Sequence, residues 1–78
     1  MWDKLIEEMS WYDKIKVLRI ARGLSQEEIA KKCMTNQKAW WNWESGKSYP
    51  RKINRHAIAK ALDVDIKDIF EEESIEEG

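Results

Sequence analysis

Apolar residues recur three and four positions apart through most of the chain, the spacing that places side chains on one face of a helix. Trp2, Leu5, Ile6 and Met9 form a first short amphipathic turn or helix with acidic residues between them. Trp11, Ile15 and Leu18 make the buried stripe of a helix that Ser10 and Asp13 can open as a capping box and that Gly23 ends near Arg22. Lys14, Lys16 and Arg22 are expected on its solvated side. Ser25 with Glu28 is a second capping box, so a helix starts at Gln26 and buries Ile29, Ala30 and Cys33. After Met34 and Thr35, Asn36 caps the next helix, which runs to Glu44 or Ser45 and stops at Gly46. Tyr49 is held extended by Pro50. A helix beginning near Arg51 then buries Ile53, Ala57, Ile58, Ala61 and Leu62 as one stripe. Asp65 caps a last helix whose Ile66, Ile69 and Phe70 either close the core or supply a twofold interface. The pattern predicts an all-α bundle of about five helices. Residues 1–9 form an N-terminal extension, residues 10–70 the domain and residues 71–78 an acidic tail.

The helix from Gln37 has two unlike sides. At about 100° per residue, Gln37, Lys38, Trp41 and Asn42 fall within an arc of about 140°. Ala39, Trp40 and Trp43 take the opposite arc, which reads as the packed face. Amides pair with adenine N6 and N7, lysine donates to guanine O6 and N7, and the major groove admits a helix. Gln37, Lys38, Trp41 and Asn42 are therefore candidates for base reading, delivered by a helix, a tight turn and a second helix. For Trp41 a thymine methyl, a sugar, a partner protein and extra core all remain open.

In this order and spacing, Ile15, Leu18 and Arg19, then GLSQEEIA from Gly23, WESGKSYP from Trp43 and AIAKALDV from Ala57 resemble the lambda-repressor-like (Xre/Cro-type) helix-turn-helix domains. The resemblance spans about residues 15–70. It implies that Arg19 pairs with Glu44, against the competing reading of Arg19 as a phosphate contact. It also implies that Gln26, at the positive end of its helix, touches a phosphate and braces Gln37. Two departures fall in the turn, where the family usually has glycine and a valine-like residue and this chain has Met34 and Thr35. A non-glycine residue at positive φ is unfavourable by about 1–2 kcal/mol. Trp40 is a less familiar residue at its position. Lys52 and Arg55 stand where the family is commonly apolar, which shifts the expected start of that helix.

Charge supports the same surface. The total is −1, but residues 14–60 carry twelve Lys and Arg against three Glu, a net +9, while residues 1–13 sum to −3 and residues 61–78 to −7. A basic middle is the footprint of a nucleic-acid surface. Asn36, Lys47, Ser48, Arg51, Lys52 and Arg55 accordingly join Gln26 as candidates for phosphate contact, with a solvated face as the alternative for the last three.

The remaining chemistry is sparse. At 78 residues, there is room for one small domain, in which five Trp serve packing first. One Cys and one His make neither a disulfide nor an ordinary zinc site, and Cys33 reads as a buried thiol. No nucleophile–base pair, phosphate-cradling glycine loop or metal cluster is present in the sequence, so no enzyme, cofactor or metal is expected. With no apolar run of bilayer length, a cytoplasmic protein is expected, nucleoid-associated when bound. The functional expectation is a sequence-specific repressor of bacterial or phage type. It binds double-stranded DNA as a homodimer on a pseudo-palindromic operator and is open to a protein antagonist or toxin partner. The alternative is a protein-interaction module on the same fold with little or no DNA binding.

Overall fold

The computed structural model describes residues 8–70. The extension expected over residues 1–9 lies outside them except for Glu8 and Met9, and the acidic tail lies outside them altogether. The described residues form four α-helices, α1 (Trp11–Ala21), α2 (Gln26–Lys32), α3 (Gln37–Glu44) and α4 (Lys52–Leu62), followed by a 3-10 turn at Ile66–Asp68.

Local chemistry sets the helix ends. Ser25 accepts from the Glu28 N–H at 3.0 Å while the Glu28 carboxylate accepts from the Ser25 N–H at 2.8 Å, which satisfies two donors that an α2 start would otherwise strand. The Asn36 carbonyl oxygen accepts from the Ala39 N–H at 2.8 Å and opens α3 in the same manner. At the other end of α1, Gly23 sits at φ 72, and the Leu24 N–H returns to the Arg19 carbonyl at 3.1 Å. This Schellman closure requires a left-handed residue just past the helix.

Each helix contributes one side to a single core. Ile15 and Leu18 of α1, Ile29, Ala30 and Cys33 at α2, Trp40 and Trp43 of α3, and Ile58 and Leu62 of α4 are buried together with Ile69 and Phe70. Burial of each large apolar side chain contributes about 1.5–3 kcal/mol. Indoles fill the centre, with Trp40 fully buried and edge-on to Trp43 at 5.9 Å. A second aromatic group ties the two ends of the helical domain together. Trp11 meets Tyr49 edge-on at 5.2 Å and lies 5.9 Å from Phe70, so the start of α1, the loop before α4 and the end of the domain share one contact.

Three expectations are corrected by this packing. Lys14 is buried, and its ammonium donates to the Asp68 carbonyl at 3.1 Å. Its place three residues after Trp11 and four before Leu18 puts its stem on the edge of the apolar stripe. Arg22 stays exposed as expected, while its Nε donates to the Leu62 carbonyl at 2.9 Å at the end of α4. Ile53 is 76% exposed. On α4 the core takes Ile58, Ala59 and Leu62, and Ile53 lies about 140° of helix rotation from Ile58, in line instead with half-buried Ala57 and Ala61. The last segment is a 3-10 turn and no longer helix: the Ile69 N–H reaches the Ile66 carbonyl at 3.1 Å, and the turn lets Ile69 and Phe70 both enter the core.

Candidate nucleic-acid interface

α2, a four-residue connection (33–36) and α3 form the candidate surface. The Met34 N–H donates to the Lys31 carbonyl at 3.0 Å and the Thr35 N–H to the Ala30 carbonyl at 2.9 Å, another Schellman closure. Met34 occupies its left-handed position at φ 60. The turn thus retains the glycine-type geometry with a side chain that disfavours it.

Burial separates the two sides of α3. Trp40, Trp43 and Glu44 are buried, whereas Gln37, Lys38 and Trp41 are exposed and Asn42 is half-buried. Trp41 is 44% exposed, and the Lys47 ammonium stands 4.9 Å from its ring centroid. A cation over an indole face is attracted by about 0.5–1 kcal/mol at an exposed site. That contact joins the outer arc of α3 to the loop behind it.

Beneath this arc, Glu44 is the hub that fixes α3 against α1 and α2. Its Oε2 accepts from Arg19 Nε at 2.7 Å and from Trp40 Nε1 at 2.9 Å. Its Oε1 accepts from Gln26 Nε2 at 2.7 Å and Arg19 Nη2 at 3.2 Å. Arg19 also donates through Nη1 to the Leu24 carbonyl at 2.8 Å. Burial by itself would raise the Glu44 pKa; the bonds from Arg19, Gln26 and Trp40, together with the Arg19 charge, outweigh it and hold the carboxyl below its ordinary value. The carboxylate is buried but has four donors, the arrangement a buried charge requires.

The other candidate residues divide by what already occupies them. The Gln26 amide is committed to Glu44, and the Asn36 carbonyl oxygen caps α3. Arg55 donates to the Pro50 carbonyl at 2.8 Å and lies 5.0 Å from the Tyr49 ring, so it braces the loop entering α4. Lys47, Ser48, Arg51 and Lys52 are exposed along that loop and the first turn of α4. The carbonyl anchors at Lys14 and Arg22 were not visible in the spacing of the sequence, because their partners lie 54 and 40 residues away. Burial pushes the Cys33 thiol up to about 11 and keeps it protonated at neutral pH. Among the described residues no three His, Cys, Asp or Glu side chains gather as a metal site would need.

A capped helix, a closed turn and a second helix with one packed and one polar face define a helix-turn-helix protein. The helix-turn-helix family model matches residues 15–69, and the chain belongs to that family, of lambda-repressor-like (Xre) type. It is 31% identical over 67 residues to the HTH-type transcriptional activator BcrR of Enterococcus faecalis, a match that covers 86% of this chain and 33% of that protein. The chain therefore spans about a third of that relative's length. The fold is similar to the crystal structure of the restriction-modification controller protein C.AhdI from Aeromonas hydrophila, with a TM-score of 0.73 and 28% identity over 77% of this chain and 91% of that one.

Proposed function

We propose that this protein is a DNA-binding transcriptional regulator, a repressor that binds double-stranded DNA as a homodimer on a pseudo-palindromic operator. The observation that carries the reading is the division of α3. Gln37, Lys38 and Trp41 face solvent with Asn42 beside them, while both neighbouring indoles and Glu44 are buried behind. With α3 in the major groove, Gln37 and Lys38 lead into base edges, and Asn42 and Trp41 follow one turn later. Lys47, Ser48, Arg51 and Lys52 flank the phosphates. Gln26, Asn36 and Arg55 meet the backbone only with atoms that Glu44, Ala39 and Pro50 leave available. Phosphate contacts set register, and base contacts give preference. The basic excess of residues 14–60 favours a polyanion such as nucleic acid over a basic or neutral protein partner.

Selection of bound fragments from genomic DNA, followed by titration at two salt concentrations, tests the reading. Lys38→Ala and Gln37→Ala should each lose about 1–3 kcal/mol of affinity and relax preference at one or two base pairs. Variants that bind the selected site as tightly as the parent, or binding indifferent to salt, would remove α3 as the reading element. The Enterococcus relative bears the name of an activator. A promoter fusion with the selected site measures the sign directly, and repression is the expected result.

A further inference from the structure

Trp41 differs in chemistry from the other residues on the outer arc of α3. Gln37, Lys38 and Asn42 bring two amides and an ammonium, whereas Trp41 brings a large apolar ring that is 44% exposed. The indoles on either side of it in the sequence are committed to the fold. Trp40 is fully buried with its Nε1 donating to Glu44 at 2.9 Å, and Trp43, 6% exposed, meets it edge-on. The Trp41 ring instead has the Lys47 ammonium over it, 4.9 Å from its centroid, and keeps much of its surface in water. A single exposed apolar side chain is ordinary on a protein surface. Its place beside Gln37 and Lys38 is what gives this one meaning.

Building on the regulator reading, we propose that Trp41 reads the C5-methyl group of a thymine next to the base pairs that Gln37 and Lys38 contact. The base edges in the major groove offer hydrogen-bond donors and acceptors, and the thymine methyl is the apolar feature among them. Amides and an ammonium match the former, and an indole matches the latter. Position sets where that thymine lies. Trp41 follows Gln37 by four residues and Lys38 by three, so its Cβ is about 5–6 Å from each of theirs on the same side of α3. Successive base pairs are stacked about 3.4 Å apart. The methyl therefore falls within about two base pairs of the positions that Gln37 and Lys38 read. Seating the ring there covers apolar surface that the fold leaves wet, on both partners at once.

The test uses the full chain and the selected site, made as synthetic duplexes of the four ordinary bases so that every C5-methyl belongs to a thymine. Replacing thymines one at a time with uracil removes the methyl and keeps every hydrogen-bonding atom, so a bond from the indole N–H to thymine O4 would survive the exchange. The parent should bind about fourfold more weakly when the contacted thymine is replaced, the effect of losing one buried methyl-sized group. That thymine should lie within about two base pairs of a position whose preference Lys38→Ala or Gln37→Ala relaxes. Trp41→Gln should bind the thymine and uracil duplexes equally, and Trp41→Phe, still apolar, should keep a penalty; circular dichroism checks that both variants are folded. A selected site without thymine in that window, a parent indifferent to every uracil there, or the same penalty in parent and Trp41→Gln would overturn the proposal and leave the regulator reading standing. Failure to select any site would overturn both.

Discussion

Replacing Glu44 with glutamine removes one charge and exchanges one oxygen for an NH2 at the most connected position in the domain. Either new orientation points amide protons at two existing donors, Arg19 Nε and Trp40 Nε1 on one side or Arg19 Nη2 and Gln26 Nε2 on the other. The Gln26 amide can rotate to offer its oxygen, so the less costly choice places the new NH2 on that side. What remains is an Arg19 guanidinium, 13% exposed, without its counter-charge and facing one repelling N–H. Removing one partner of a buried pair costs about 3–5 kcal/mol, and the Gln26 rescue puts Glu44→Gln at about 3 kcal/mol. For a chain of this size, total stability is about 4–12 kcal/mol. The midpoint of thermal unfolding should therefore fall by about 12–24 °C, using about 4–8 °C per kcal/mol. Urea titration followed by tryptophan emission gives the free energy. The pH dependence separates this cause from a general packing defect. The Glu44 carboxyl lies below its ordinary pKa of about 4.3 in the folded state, so its contribution is complete above that value and is lost as pH falls through the folded value. The parent should approach the variant in stability as the solution is acidified below about pH 4. A loss under about 1 kcal/mol at pH 7, or parallel curves from pH 7 to 3, would refute the reasoning.

Other perturbations probe the turn, a close approach and the proposed DNA surface. Met34→Gly relieves a left-handed φ at a cost in unfolded-chain entropy, and should raise stability by about 0.5–1 kcal/mol in the same urea titration. Gly46→Ala should lower it by at least about 1 kcal/mol, because φ is +80 and the new Cβ would sit 3.0 Å from the Tyr12 ring. Lys47→Ala should weaken binding to every DNA sequence alike and flatten the slope of log K against log salt by about one unit, measured by titration at several salt concentrations.

Much of the architecture was legible because its signals are local. Ser25 and Glu28, Asn36, Gly23 and Gly46 act on backbone groups within a few residues of themselves, so the bounds of α1, α2 and α3 follow from short-range chemistry. The division of α3 into indole and polar sides was legible for the same reason: rotation per residue is a property of the helix alone. The turn at Met34 adopts the geometry its neighbours demand in spite of the residue, since two backbone hydrogen bonds close it.

The chain by itself determined an all-α helix-turn-helix, where its helices begin, and which side of α3 carries amides and a lysine. The tertiary structure alone decided which cations are occupied and which apolar residues stay wet. Lys14 and Arg22 find carbonyls at the far end of the chain, Gln26 is captured by Glu44 and Arg55 by Pro50. Ile53 and Met34 are left outside the core. Periodicity reports which residues share a face of one helix. Which face meets a neighbour, and how far along its length, depends on how helices cross, and that is set by the packing of all of them together.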